Sequence, residues 1–215
     1  MNQSAKFWDK VAEGYSKKPV ADEATYQKKL EITHGYFQPD MQVLEIGCGT
    51  GSTAIAHAPF VDHIQAIDIS PRMIEIAQDK AEQENIGNIT FQCSTIDKCR
   101  VPDQTLGAVL AHNVLHLLEN KEEAVDQVYK MLKSGGVFVS STACLGDMMM
   151  LFRIAAPIGR FLRFFPLVKV FTIKELEYSL TDAGFEIDYQ WQPGKNKPVF
   201  IVAKKKIHTH GNQTL

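Results

Sequence analysis

The sequence predicts an α/β fold: a doubly wound sheet of seven strands, mostly parallel, with an antiparallel hairpin at its C-terminal edge. Strand-like apolar segments and helix-like amphipathic segments alternate between residues 43 and 142, which favours parallel strands joined by crossover helices. The last two strand-like segments, 185–192 and 198–204, are joined by a short turn and must run antiparallel. A chain of 215 residues that is 45% hydrophobic is long enough for one sizeable core.

The first strand, over about 43–46, breaks into a glycine-rich loop that leads into a helix ending near residue 59. The loop carries three alternating glycines, at positions 47, 49 and 51. Ser52 is expected to cap the helix. The third glycine comes one residue too early for the G-x-G-x-x-G fingerprint of dinucleotide binding. Glu45 disfavours a pyrophosphate beside the loop, so the pattern favours a cationic or zwitterionic ligand.

This loop resembles the first motif of the class I S-adenosylmethionine-dependent methyltransferases, E/D-x-G-x-G-x-G, position for position. The resemblance covers nearly the whole chain and is strongest over residues 43–142. It implies a Rossmann-like fold and S-adenosyl-L-methionine as the cofactor. It also implies that the cofactor contacts these residues of the first motif: Glu45, Gly47, Cys48, Gly49 and Gly51.

Residues 1–40 precede the first strand and include a helical pattern over about 21–37. Apolar and aromatic residues before it recur at helical spacing: Phe7, Trp8, Val11 and Tyr15. Such a stripe is typical of a helix that docks on a neighbouring layer. In methyltransferases that this chain resembles, a similar F-W-D-x-x-A-x-x-Y segment forms part of a lid over the cofactor, which implies that Tyr15 reaches the site. Docking and lid are alternatives at this point.

The second strand, 63–68, ends in an acid at the same edge of the sheet. Asp68 lies 17 residues past Gly51, a spacing that lets one carboxylate accept hydrogen bonds from both hydroxyls of a ribose. Ser70, followed by a proline, already supplies an N-cap for the next helix, so Asp68 is not needed there. Ile69 would then lie against the adenine.

The helix predicted over about 71–84 carries Met73, a further candidate cofactor contact, and a third strand follows at about 89–93. After that strand, related methyltransferases often carry an aspartate that binds the adenine amino group, followed by a residue whose backbone N–H meets the ring. Thr95 occupies the aspartate position, which departs from the pattern, and Ile96 follows it. Either Thr95 takes this role or Asp97 does, unless Asp97 is a solvated loop acid.

The fourth strand, 106–111, ends in His112 and Asn113, which the rule for open α/β sheets places at the reacting end of the cofactor. His116 is a candidate general base because an unperturbed imidazole titrates near ~6.5, although a histidine on an apolar turn is more often structural. A hydroxyl acceptor would need a partner such as His116 or Tyr15, whereas an amine or thiolate would need little help.

The next segments complete the predicted sheet and its helices. A helix over about 121–132 is expected to end in a basic turn with a glycine C-cap at 133–136, before a fifth strand at 137–142. A helix over about 172–183 begins with a capping box at Thr172.

Residues 143–170 form an apolar and basic insertion after the fifth strand. Its local charge is about +3, from Arg153, Arg160, Arg163 and Lys169 against Asp147. Three interpretations are open. The insertion is an extra helical layer, an apolar cap that shapes a hydrophobic or aromatic substrate pocket, or a basic amphipathic contact with a membrane or lipid.

Composition excludes several other classes. A net charge of −2 gives no general attraction to nucleic acid. The four cysteines show no C-x-x-C pair and no zinc-finger spacing, and two histidines in the polar tail are a poor metal site, so no metal is expected. The N-terminus lacks a secretory pattern and no apolar run reaches ~18 residues, so a cytoplasmic protein is expected. Nothing in the sequence indicates the oligomeric state.

The leading hypothesis is an S-adenosylmethionine-dependent methyltransferase that moves a methyl group, by in-line displacement, to a small acceptor of apolar, aromatic or lipid-like character. The expected organisation is a helical lid at 1–40, a cofactor-binding domain at 41–204 with the cap at 143–170, and a disordered tail at 205–215. One alternative is a non-catalytic cofactor-binding protein that acts through a partner at the cap. Another is an NAD-dependent oxidoreductase, which the glycine spacing and the reversed edge strand disfavour.

Overall fold

The computed structural model of the protein describes residues 3–148 and 167–207. Most of the predicted insertion at 143–170 and most of the predicted tail at 205–215 therefore lie outside the described residues. Within the described ranges, no helix combines the length and the apolar character that crossing a membrane requires.

The described residues form one sheet of seven strands. In chain order these are β1 (Gln42–Ile46), β2 (His63–Asp68), β3 (Ile89–Cys93), β4 (Leu106–His112), β5 (Leu132–Thr142), β6 (Phe185–Trp191) and β7 (Val199–Lys205). Their order in the sheet is β3-β2-β1-β4-β5-β7-β6. The first five strands pair in parallel, and β7 pairs antiparallel with both β5 and β6. The predicted fold class is confirmed, including the reversed edge.

Helices cover both faces of this sheet. They are α1 (Gln3–Ser16), α2 (Glu23–His34), α3 (Ser52–His57), α4 (Pro71–Gln83), α5 (Lys121–Met131), α6 (Leu145–Met148) and α7 (Ile173–Asp182). One hydrophobic cluster joins strand residues such as Phe138 to α5 and α7, and another joins residues such as Phe200 to α3 and the end of α2. Burying each of these two rings contributes on the order of 1.5–3 kcal/mol to the stability of the fold. The capping box predicted at Thr172 is present.

The register of the parallel strands brings three carboxyl ends together. Ile46 at the end of β1 lies beside Ile67 of β2 on one side and Ala111 of β4 on the other. Residues that follow these strands therefore share one edge of the sheet, as the rule for open α/β sheets requires.

Helix α1 docks on α4 through both polar and apolar contacts. The Asp9 carboxylate accepts hydrogen bonds from the Ser70 hydroxyl at 2.6 Å and from the Arg72 backbone N–H at 3.2 Å. The Arg72 guanidinium also pairs with Glu13. Trp8 and Val11 pack against a small apolar cluster formed by Ala12, Met73 and Ile76. The docking that the helical spacing predicts is therefore present.

The predicted role of Ser52 as a helix cap is wrong. The N-cap of α3 is Gly51, which adopts a left-handed conformation with φ 77° and supplies no side-chain cap. The Ser52 hydroxyl, one residue further on, instead accepts a hydrogen bond from Lys80 Nζ at 3.2 Å. A glycine replaces the usual capping side chain because the loop reaches the helix with positive φ.

The predicted glycine C-cap at 133–136 is also wrong. The C-cap of α5 is Leu132, in an extended conformation, and β5 begins at that residue. Leu132 already pairs with Leu106 of β4 across the sheet. Pairing with β4 therefore ends α5 at Met131, and Gly135 and Gly136 lie inside β5.

Gly51→Ala is expected to lower the free energy of unfolding by about 1–3 kcal/mol, because a side chain there meets both unfavourable φ and crowded neighbours. A Cβ atom at Gly51 would lie 2.8 Å from Ala77 Cβ. Urea denaturation measures the change. The matched control is Gly14→Ala in α1, where no described atom outside the surrounding helix backbone lies within 4 Å of the new Cβ and a gain of about 0.5–1 kcal/mol is expected. Equal effects at the two positions would contradict the packing argument.

Candidate functional site

The glycine-rich loop after β1 is fixed to the end of β2 by backbone hydrogen bonds. The N–H groups of Gly47 and Cys48 donate to the Ile67 carbonyl at 2.8 and 3.0 Å. The Gly49 N–H donates to Asp68 Oδ2 at 3.0 Å. The loop and the acid at the end of β2 thus form one rigid unit.

Asp68 is held on both carboxylate oxygens and still has lone pairs available. Its Oδ1 accepts a hydrogen bond from the Ser70 N–H at 2.9 Å. Burial raises the pKa of Asp68 above its usual value, although backbone N–H groups of Ser70, Gly49 and Ile69 oppose the shift. A carboxylate offers about four acceptor positions. Asp68 can therefore accept further hydrogen bonds from a pair of ligand hydroxyls.

Glu45 is a buried acid without a full set of partners. Its exposed fraction is 2%, and its Oε2 has no hydrogen-bond partner among the described residues. Burial, followed by the charge of Asp68, raises the pKa of Glu45 to about 8. A buried carboxylate is stabilised only by a cation or by hydrogen-bond donors. A cation or a hydrogen-bond donor supplied by a ligand would therefore stabilise the charged form of Glu45.

The glycines of the loop differ in what surrounds them. A Cβ atom on Gly47 would lie 2.7 Å from Val114 Cγ2, so the chain itself fills that space. A Cβ atom on Gly49 would meet only the ring of Tyr15, at 3.9 Å. Gly49 is therefore the part of the loop whose backbone a ligand can approach. Cys48 between them is buried, and burial raises the pKa of its thiol well above the usual value.

Two tyrosines approach this loop from the N-terminal helices. Tyr15 of α1 lies against Gly49 while 53% of it stays exposed. Its pKa is raised by burial and then by Asp68, so at neutral pH it is a phenol that can donate a hydrogen bond. Tyr26 of α2 lies close enough to Thr53 and Glu45 for both to influence its pKa, which burial raises.

The residues predicted on the adenine side occupy different environments. Ile69 is half-buried, Ile96 is buried, and Asp97 is exposed. The Thr95 hydroxyl oxygen is buried and has no hydrogen-bond partner among the described residues. Met73 is only 2% exposed and packs with Ala12 beneath α1. Met73 thus lies in the packed layer between α1 and α4.

The ends of β4 and β5 carry a second polar group. His112 of β4 pairs in register with Ser141 of β5, and the Asn113 N–H donates to the Ser141 carbonyl at 2.7 Å. Lys29 Nζ of α2 donates to Ser141 Oγ, also at 2.7 Å. Burial, followed by the charge of Lys29, lowers the pKa of His112 to about 4. His112 Nε2 is buried without a partner among the described residues.

His116 lies in a short 3₁₀ turn, Leu115–Leu117, that follows β4. Its Nδ1 is buried and has no partner among the described residues. Burial lowers the pKa of His116 to about 4, so the ring is neutral at physiological pH. The His116 carbonyl accepts a hydrogen bond from the Lys169 N–H at 2.7 Å. Within the described ranges nothing binds His116 Nδ1, which can accept a proton, but the lowered pKa makes it a weaker base than an ordinary histidine.

Three residues of this edge carry no recognisable sequence motif: Tyr26, Lys29 and Ser141. The contact between Lys29 and Ser141 joins residues 112 positions apart, and no local pattern predicts it. The Lys28-Lys29 pair has the composition of a solvated helix face. Only the position of Ser141 at the end of a strand marked it as a residue of this edge.

Residues 43–136 match the model of a methyltransferase domain. The uncharacterized methyltransferase YcgJ of Bacillus subtilis (strain 168) is 29% identical over 110 residues, which are 51% of this chain and 44% of that protein. A demethylmenaquinone methyltransferase of Symbiobacterium thermophilum is 25% identical over 183 residues, 78% of this chain and 68% of that protein. The chain spans less than half the length of the first curated relatives that it matches.

Solved structures share the fold. The crystal structure of YcgJ from Bacillus subtilis superposes with a TM-score of 0.69 at 17% identity, covering 84% of this chain and 99% of that one. The [4+2]-cyclase SpnF also gives a TM-score of 0.69 at 17% identity, covering 84% of this chain and 80% of that one. At these identities the likeness shows the fold alone. One of the two proteins carries the name of a different reaction, so the fold does not determine the chemistry.

Glu45→Gln is expected to change how stability depends on pH. Because the folded pKa of about 8 exceeds the unfolded value near 4.5, the folded state holds a proton that the unfolded state releases. The free energy of unfolding of the ligand-free protein should therefore fall by about 2–4 kcal/mol between about pH 5 and about pH 9. Glu45→Gln should remove this fall, as urea denaturation across that pH range would measure.

The control for this experiment is Glu82→Gln, which changes an exposed carboxylate on α4. Its pH dependence should follow the wild type. A Glu45→Gln variant that keeps the wild-type slope would contradict the burial of an unpaired carboxyl at this position.

Proposed function

We propose, from the premise that residues 43–136 belong to the methyltransferase domain family of class I S-adenosylmethionine-dependent enzymes, that the chain transfers a methyl group to a small-molecule acceptor. The observation that carries the proposal is the acidic pair at the ends of β1 and β2. Asp68 is held by the Gly49 and Ser70 N–H groups with acceptor capacity to spare, and Glu45 is buried with an unpartnered oxygen. A ligand with a cationic end and a ribose diol matches both acids.

The residues present fit S-adenosyl-L-methionine. The buried, unpartnered Glu45 oxygen suits its positive charge, Asp68 suits its ribose hydroxyls, and the open backbone at Gly49 allows close approach. In this proposal, the remaining cofactor contacts are the other candidates predicted from the sequence: Gly47, Cys48, Gly51, Ile69, Thr95, Ile96, Asp97, His112 and Asn113, with Met73 behind them in the packed layer between α1 and α4. Thr95 is favoured over Asp97 in this proposal because the Thr95 hydroxyl is buried with no partner in the described part of the chain, whereas Asp97 is exposed.

Helix α1 is proposed to act as the lid over this site. Asp9 and Glu13 hold α1 against the start of α4, and Tyr15 lies over Gly49 from the same helix. A helix in this position covers the ribose side of the groove and excludes water from it. Tyr15 remains protonated at neutral pH, which suits a hydrogen-bond donor rather than a base.

The insertion at 143–170 is proposed to cap the acceptor side. Its two described flanks meet, because the Gly146 N–H donates to the Phe171 carbonyl at 2.9 Å. The Lys169 N–H donates to the His116 carbonyl. The insertion therefore leaves and rejoins the fold next to His116, and its apolar composition favours an apolar, aromatic or lipid-like acceptor.

Methyl transfer requires the protein mainly to position the acceptor against the methyl group of the cofactor. The sulfonium of the bound cofactor supplies an electrophilic methyl group. Holding an acceptor in line with it, in a site from which water is excluded, contributes roughly 7–11 kcal/mol to lowering the barrier. An amine or thiolate acceptor would need little help from a base, whereas a hydroxyl would use the neutral ring nitrogen of His116, which has no partner among the described residues.

Calorimetry with S-adenosylhomocysteine and with NAD tests the cofactor assignment. The wild type is expected to bind S-adenosylhomocysteine and not NAD. Asp68→Asn is expected to weaken S-adenosylhomocysteine by about tenfold or more, since it removes charge-assisted hydrogen bonds. Asp79→Asn, an exposed acid on α4, is the matched control and should leave affinity unchanged. Binding of NAD instead would support an oxidoreductase.

Incubation with methyl-labelled S-adenosylmethionine and a library of small metabolites tests the transfer itself. Label is expected to move to one or more library members. Tight cofactor binding with no transfer to any of them would favour the non-catalytic cofactor-binding protein over the enzyme.

His116→Gln is expected to lower kcat by about a hundredfold for a hydroxyl acceptor found in that screen, with S-adenosylhomocysteine affinity unchanged. Because the pKa of His116 is lowered to about 4, the neutral ring predominates above about pH 5. The wild-type rate should therefore show no acidic limb from this group near about pH 6.5. His63→Gln, at the opposite end of β2, is the control. An unchanged kcat in His116→Gln would remove His116 from the mechanism.

A further inference from the structure

Lys29 is a half-buried cation that donates a hydrogen bond to a neutral hydroxyl. Its Nζ donates to the Ser141 hydroxyl at 2.7 Å, and no carboxylate of the described residues forms an ion pair with it. Burial lowers the pKa of Lys29, while the more distant Asp22 opposes the shift. An ammonium group has three donors, so Lys29 retains donors for another acceptor.

The surroundings of Lys29 place it at the carboxyl ends of β4 and β5. Ser141 is 1% exposed and lies opposite His112 in the parallel register of these strands. His112 Nε2 has no partner among the described residues, and Lys29 is close enough to His112 to lower its pKa. A cation, a hydroxyl and an unpaired imidazole nitrogen therefore converge at one point of the sheet edge.

Helix α2 connects this point to the glycine-rich loop. Tyr26 lies three residues before Lys29, and residues at this spacing face the same side of a helix. Tyr26 is near Thr53 and Glu45, whereas Lys29 reaches Ser141. The same side of α2 therefore lines the edge of the sheet from β1 to β5. With the nucleoside of the cofactor over β1 and β2 and its reacting end at the end of β4, the space from His112 towards β5 is left for the acceptor.

We propose that Lys29, together with Ser141 and His112, binds an anionic group of the methyl acceptor, either a carboxylate or a phosphate. An ammonium group held partly out of water without a counter-charge is unfavourable, and a ligand anion would supply that charge through short charge-assisted hydrogen bonds. The Ser141 hydroxyl accepts from Lys29 and keeps its own proton to donate to the anion. This inference rests on the proposed function, since it takes the bound anion to be part of the acceptor.

Lys28 provides a matched control on the same helix. Its Nζ lies over the ring of Trp191, 4.1 Å from the centroid, and its side chain is exposed. Lys28→Met and Lys29→Met therefore remove the same charge from adjacent positions, but only the second removes it from the carboxyl ends of β4 and β5.

The experiment titrates benzoate, phenyl phosphate and benzamide into the full chain saturated with S-adenosylhomocysteine, and follows the amide signals of Asn113 and Ser141 by NMR. In the wild type, one or both anions should bind at least about tenfold more tightly than benzamide. Lys29→Met should abolish this preference, Lys29→Arg should restore it at least in part, and Lys28→Met should keep it. Comparing benzoate with phenyl phosphate identifies which anion the site takes.

Several outcomes would overturn the inference. Benzamide binding as tightly as the anions, equal weakening by Lys28→Met and Lys29→Met, or no shift of the two amide signals would each do so. Thermal melts check folding, and Lys29→Gln, which keeps an N–H donor, replaces Lys29→Met if that variant is unfolded. If the protein does not bind S-adenosylhomocysteine but still prefers the anions over benzamide in a Lys29-dependent way, the proposed function is wrong and the anion site is supported.

Discussion

Glu45 keeps a carboxyl group almost fully out of water at the end of β1, and one of its oxygens has no partner among the described residues. A buried, unsatisfied polar group costs about 1–3 kcal/mol, and more if it is charged. The ligand-free fold therefore carries this group in its neutral form, and a cation would bring out its charged form. Asp68 adds negative potential nearby while backbone N–H groups hold it in place. Stability without ligand and affinity for a cation thus depend on the same carboxyl.

Charge is distributed unevenly along the edge of the sheet. Glu45 and Asp68 follow β1 and β2, whereas Lys29 lies with His112 and Ser141 at the ends of β4 and β5. In the order β2-β1-β4-β5, one strand spacing of about 5 Å separates β1 from β4, and three spacings, or about 14–15 Å, separate β2 from β5. A ligand whose nucleoside is bound at the acidic side leaves the basic side for a second molecule. The polarity of the edge therefore sets which end of the groove accepts which charge.

Local patterns predicted the fold well where neighbours in sequence decide the structure. The strands at 63–68 and 89–93 have the predicted bounds. Each is marked by its own apolar residues, and the helix between them, α4, begins at a clear N-cap, Ser70. The prediction failed at Ser52, where positive φ at Gly51 fixes the start of α3. It failed again at residues 133–136, where pairing between Leu132 and Leu106 extends β5 into a segment that looks like a helix end. In the first case the backbone of the adjacent glycine, and in the second a long-range strand pairing, overrode the local signal.

The two sides of the candidate site differ in how far the sequence predicts them. The acidic side follows from a motif, since Glu45, Gly49 and Asp68 lie within the matched residues 43–136. The basic side does not, because Lys29 and Ser141 lie outside that range and meet only through tertiary packing across 112 positions. Folds of this class host many reactions, and the parts that differ decide the chemistry. Residues outside the matched range should therefore account for differences in chemistry among proteins that share this motif.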